Sequence, residues 1–194
     1  MPGLPIIRGW RLDPPVACVT LQIWDGGRSL QVLFEWPPLA DVDIATLGGM
    51  VLTNSAVLFP DFLFHDYVAP QAFERLSGSA GAKCPADLLR PEILPRRGEG
   101  AFMVQEKALR ERVTSYHGDR AAFQVDLRCA AIIRALSGGA VFMESQGRVL
   151  GVPRKDEHWA ILDVLMVALA APMVTMSGAE RRRIAGPRVL HPEW

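Results

Sequence analysis

Most of what would name a chemistry is missing from this sequence. Its three cysteines, Cys18, Cys84 and Cys129, stand far apart. An odd number with no CxxC pair excludes a disulfide framework and a zinc site of the usual spacing. The four histidines, His65, His117, His158 and His191, form no HExxH and no pair at metal-ligand spacing. Net charge is also absent, because 21 basic residues balance 21 acidic ones. A whole-molecule attraction to nucleic acid or to an anionic membrane is therefore lacking. No long hydrophobic run exists either. The longest, Ala160 to Met176, is broken by Asp163 and Pro172, and a carboxylate near the middle of a spanning helix is costly. Prolines interrupt the first fifteen residues, so no signal peptide is expected there. The Gly-rich stretches Ser77–Gly81 and Ser137–Gly139 lack both GxxxxGK[ST] and the strand–GxGxxG–helix setting that cradles phosphate. These absences predict a reducing, cytoplasmic setting with free thiols, no cofactor and no metal.

What is present suits a globular chain. Hydrophobic residues make up 49% and charged residues 22% of 194 residues, which predicts one domain over 1–194. Arginine dominates lysine, a compositional bias of GC-rich bacterial genomes. Residues 1–15 hold four prolines and are expected to form an irregular arm. Val16–Trp24 and Ser29–Trp36 alternate on either side of Asp25-Gly26-Gly27, the pattern of a β-hairpin that Pro37-Pro38 would stop. Asp41 could cap a helix through Leu47 that Gly48-Gly49 interrupts; Met50–Phe59 reads as a strand or a buried helix, the strand preferred, and Asp61–Val68 as another aromatic run. Residues 77–100 are expected to be a long loop, the place for a binding segment. Glu106–Tyr116 fits a helix or the end of a strand. From an N-cap at Asp119, Val125, Cys129, Ile132, Ile133 and Leu136 make one apolar stripe of a helix that ends at Gly138-Gly139. Ala140–Met143 and Arg148–Val152 predict a second hairpin. Asp156 caps a helix from Glu157 to about Ala171, followed by a buried strand Pro172–Met176. Ser177–Glu180 matches a capping box ahead of Arg181-Arg182-Arg183, which reads as a solvated helix face. The expected class is α+β, a largely antiparallel sheet with helices mainly on one face, ferredoxin-like over 119–176.

Candidate catalytic groups are few. His65-Asp66, with Asp61 four residues before, is the densest cluster, although in a strand His65 and Asp66 point to opposite faces. His117 sits before a Gly-Asp turn. Cys84 lies beside Lys83 ahead of a short helix, a setting that favours thiolate. A small hydrolase or thiol-dependent transferase would use His65 or His117 with Asp61, Asp66 or Cys84. For binding, the expected contacts are Phe62, Phe64, Tyr67 and Trp36 with the loop arginines Arg90, Arg96 and Arg97.

Residues 119–152, Val125 to Leu136 followed by Gly138 to Leu150, resemble a unit of small bacterial α+β immunity proteins of polymorphic toxin and type VI secretion systems. The resemblance spans under a fifth of the chain. It implies a cytoplasmic, non-catalytic protein that occludes a partner, a cognate toxin in the concrete case, as monomer or homodimer. It carries no catalytic residue over and implies no nucleic-acid or membrane partner. The alternatives are the small hydrolase or transferase above and a structural subunit of a phage or secretion machine.

Overall fold

The two alternating runs form an antiparallel pair, β2 (Val16–Trp24) and β3 (Ser29–Leu39). The computed structural model describes residues 5–24, 29–74, 83–145, 148–154 and 156–175, so the Asp25–Gly27 turn of this hairpin lies outside them. Pro37-Pro38 does not stop β3. The strand continues to Leu39, and a register shift between Val16 and Cys18 accommodates residues that cannot donate to the ladder.

The expected irregular arm is instead the central strand. Ile6–Arg11 forms β1, antiparallel to β2 on one side and parallel to β4 (Phe64–Val68) on the other. The prolines flank this strand without entering it. It was hidden because a strand covered on both faces shows no alternation of apolar and polar residues. All of Ile6 to Trp10 is buried.

The six-stranded sheet has the order β5-β4-β1-β2-β3-β8, with β5 at Arg96–Arg97 and β8 at Phe123–Val125. Pairs β1/β4, β4/β5 and β3/β8 are parallel, while β1/β2 and β2/β3 are antiparallel. The class is α+β, and the sheet is mixed. The segment 119–176 contributes only β8 to it, so that segment is not a ferredoxin-like unit. Tyr116–His117 and Arg120–Ala121 form one small hairpin (β6, β7). Phe142–Ser145 and Arg148–Pro153 form the expected second one (β9, β10), with its turn at 146–147 outside the described residues.

Helices cover the faces unequally. On one face lie α2 (Phe102–Val113), α3 (Ala130–Arg134) and α4 (Glu157–Leu169). The expected cap of α4 is in place, with the Trp159 N–H donating to Asp156 Oδ1 at 3.0 Å. Helix α4 is buried from Ala160 to Leu169 apart from Asp163. It packs on β1 and β2, sealing a core of Ile7, Val19, Leu21, Ile23 and Val32. The predicted strand after it is a short helix, α5 (Pro172–Thr175).

On the other face α1 (Ile44–Leu58) replaces the strand predicted at Met50–Phe59. Asp43 caps it, accepting the Thr46 N–H at 2.6 Å, and Leu47, Val51 and Ser55 bury one i, i+4, i+8 stripe. Gly48 and Gly49 lower helix propensity by about 1 kcal/mol each. Both glycines lie against the Arg90 side chain: a Cβ on Gly48 would stand 3.3 Å from Arg90 Cγ, a tight contact, and one on Gly49 3.4 Å from Arg90 Nη2. The expected long loop is thus largely packed structure from residue 83 onward. Cys84, Ala86, Leu89 and Ile93 are buried beside Trp10, Leu12, Trp36 and Val51, and Arg96–Arg97 forms the sheet edge. The predicted helix from Asp119 begins only at Ala130. Its N-terminal amides are satisfied from β3, where Glu35 accepts the Ala131 and Ile132 N–H groups at 2.7 and 2.9 Å. The capping box and arginines of 177–183 lie outside the described residues.

One contact fixes the sheet against α4. A Cβ on Gly9 would stand 2.5 Å from the Val164 carbonyl oxygen and 2.8 Å from Ala168 Cβ. Strand and helix meet backbone to backbone here, and only glycine on β1 permits it. Gly9→Ala is expected to destabilise the protein by about 1–3 kcal/mol through overpacking. Urea denaturation followed by circular dichroism measures this, with an unchanged m-value marking a loss of stability without a change of fold.

Candidate functional site

The sheet centre holds a polar cluster that its burial does not predict. On the α1 face Arg8 of β1 stands opposite Asp66 of β4 in the parallel register. Arg8 donates through Nε to Asp66 Oδ1 at 2.6 Å and through Nη2 to Oδ2 at 2.8 Å. The Trp10 indole N–H also donates to Oδ1, at 2.7 Å. Arg8 Nη1 reaches Ser55 Oγ of α1 at 3.3 Å. The guanidinium carbon lies 4.2 Å from the centre of the Phe64 ring. The Arg8 and Asp66 side chains are 3% and 5% exposed. On the same face of β2, Thr20, opposite Arg8, and Gln22, opposite Ile6, have buried Oγ1 and Nε2 atoms with no hydrogen-bond partner among the described residues.

A second charged group lies at the end of β1 on the α4 face. Arg11 bridges Asp163 Oδ2 at 3.0 Å and Asp13 Oδ2 at 2.6 Å. Burial beside β1 raises the Asp163 carboxyl above the ordinary carboxylate range, while Arg11 pulls it down.

The sequence candidates do not gather around either group. His65 lies on the face of β4 opposite Asp66, with its Nδ1 buried and without a hydrogen-bond partner among the described residues. Burial, then the charge of Arg96, lowers its pKa from the ordinary value, and Asp66 opposes this. Asp61 is exposed in the turn before β4, at φ 66°. His117 is on the separate β6–β7 hairpin. Cys84 is not a reactive surface thiol; it is buried in the core beneath α1, where the Cys84 N–H donates to Asp87 Oδ2 at 3.0 Å. Cys18 and Cys129 are buried as well, and burial pushes the Cys129 thiol up to about 12. Of the expected aromatic contacts, Trp36 and Tyr67 are not available at the surface. They are 3% exposed, in the cores on opposite faces of the sheet. Phe62 and Phe64 are half-buried, and Arg90, Arg96 and Arg97 are exposed.

No protein-family model matches the sequence, and no curated protein matches it. Among solved structures, the chain is similar to the g2p (large terminase) nuclease domain of bacteriophage SPP1, which was determined with bound Mn. The TM-score is 0.52 at 14% identity, over 85% of this chain and 82% of the nuclease domain. The likeness is one of fold: the arrangement of sheet and helices is shared with that domain. This overturns the resemblance of 119–152 to immunity proteins, and with it the toxin-inhibitor and type VI secretion assignments. The matching of a short helix-and-hairpin pattern could not detect a sheet whose central strand lies at residue 6.

The neighbour's metal raises the question whether this chain could hold one. Divalent ions of that kind are held by several converging oxygen or imidazole donors. Among the described residues, no group of three or more His, Cys, Asp and Glu side chains is placed to hold an ion. Both oxygens of Asp66 already accept hydrogen bonds, and Asp13 and Asp163 are bridged by a guanidinium. The described residues do not fit such a metal, and no hydrolytic step follows from them.

Breaking one side of the buried pair leaves the other charge uncompensated. Arg8→Met is expected to destabilise the fold by about 3–5 kcal/mol, whereas Arg8→Met with Asp66→Leu recovers most of that loss. Chemical denaturation of the two variants checks this. For His65 the folded pKa lies below the unfolded value of about 6.5. As pH falls through that value the unfolded chain takes up the proton first, so stability declines. His65→Gln is expected to flatten the stability profile just below pH 6.5, measured by urea midpoints across that range.

Proposed function

We propose that this chain is a nuclease-fold domain that engages nucleic acid, working in the cytoplasm with its three thiols reduced and buried. The observation that supports this most is the extent of the fold likeness. It spans 85% of this chain and 82% of a phage terminase nuclease domain, so it embraces the sheet and its helical cover and not one shared fragment. Fold alone does not carry function, and the surface supplies the second support. Arg96 and Arg97 are exposed on β5 at the sheet edge, where successive side chains point to opposite faces, and Arg90 is exposed ahead of them against α1; Arg97 is stacked 5.1 Å from the Phe73 ring centre. A guanidinium held by stacking is partly pre-oriented for phosphate oxygens, which it meets with paired hydrogen bonds. This departs from the expectation drawn from zero net charge, because phosphate contact depends on local charge and not on the sum.

Of the functions weighed from the sequence, the hydrolase alternative stands nearest, by fold and not through His65, His117 or Cys84. Engagement without metal-dependent cleavage is the form the described residues support. Fluorescence anisotropy with labelled single- and double-stranded DNA and RNA at low salt tests it. Dissociation constants of about 10⁻⁴–10⁻⁶ M near physiological salt, and tighter at low salt, are expected. Replacing Arg90, Arg96 and Arg97 together by alanine is expected to weaken binding several-fold. No anisotropy change with any of the four ligands would refute the proposal.

A further inference from the structure

We infer that Arg8 is the built-in cation of the sheet centre, and that Asp66 consequently takes no divalent metal. A carboxylate buried between two central parallel strands needs a positive partner, since an isolated buried charge is prohibitively costly. A bound metal ion is one way to supply it, and a side chain on the neighbouring strand is another. In this chain the second is in place. The Arg8 fork takes both Asp66 oxygens at 2.6 and 2.8 Å, and Trp10 adds a third donor at 2.7 Å. A carboxylate offers about four acceptor positions, so three are occupied. An ion approaching the fourth would meet the guanidinium charge at hydrogen-bond distance. Of the other side chains around the pair, Ser55, Thr20 and Gln22 are neutral, and burial pushes the Cys18 thiol up, towards its neutral form. The Phe64 ring against the guanidinium and the burial of both partners keep water out and the pair closed. Arg8 is thus a positioning residue: it sets the orientation of Asp66 and occupies its coordination capacity.

The fold likeness selects manganese as the probe, but the inference does not depend on nucleic-acid binding. The Trp10 indole N–H reports directly on Asp66, because it is bonded to the carboxylate a metal would use. In a ¹H–¹⁵N spectrum of the wild-type protein, with the indole signal assigned by its loss in Trp10→Phe, excess MnCl₂ is expected to leave the Trp10 resonance at full intensity. Selective bleaching of that resonance by the paramagnetic ion would overturn the inference. The thermal midpoint gives a second measurement. No shift with MnCl₂ is expected; a shift in the wild type that disappears in Asp66→Asn would overturn it, and a shift that persists in Asp66→Asn places the ion away from Asp66 and agrees with it. These outcomes are read without nucleic acid, so they are separable from failure of the anisotropy experiment.

Discussion

The pairing of β1 with β4 is the constraint from which the rest of the sheet follows. No tight turn joins these two strands, so nothing local fixes how they slide past one another. The Arg8–Asp66 ion pair does so, acting across 58 residues of sequence. A slip by one residue would turn the side chains of one strand to the opposite face. It would leave two buried charges without partners and would bring Arg8 against His65 or Tyr67. The hydrogen bonds from Trp10 and to Ser55 extend this fixation to the neighbouring turn of β1 and to α1. A buried ion pair is weak evidence for stability in general, and specification of register is the better attested use.

Legibility in the sequence followed the distance over which each element is determined. The β2–β3 hairpin and α4 were readable because their signals are local: alternation around a turn, and Asp156 three residues ahead of the amide it caps. Three elements were not, and each depends on a distant partner. Strand β1 is covered on both faces by helices from elsewhere in the chain. Helix α1 accommodates two glycines because Arg90 fills the space beside them. Helix α3 starts late because its cap is Glu35 on β3. The site was half visible. Asp66 stood out beside His65, but its true partner lay in a segment dismissed as an irregular arm. The usable signal was Arg8 itself, a lone charge inside an apolar run, which calls for a buried acid elsewhere.

A fold shared with a terminase nuclease domain and a closed ionic centre are compatible because scaffold and site answer to different requirements. The scaffold needs strand order, the Gly9 contact with α4 and two apolar cores. A metal site needs clustered, open oxygen ligands. Replacing that openness with an internal guanidinium leaves the first set untouched. Strand β4 serves both sides: its parallel pairing with β1 sets Arg8 against Asp66 beneath α1, and its parallel pairing with β5 places Arg96 and Arg97 at the sheet edge.

The central strand is made before the elements that cover it. Its parallel neighbour follows more than fifty residues later, and the helix that closes over Gly9 is made later still. During synthesis Ile6, Ile7 and Trp10 must therefore wait uncovered until α4 has left the ribosome. Late closure of long-range contacts slows folding and leaves apolar segments open to association. Loss of β1 would take away the strand that joins β4 to β2 in the sheet.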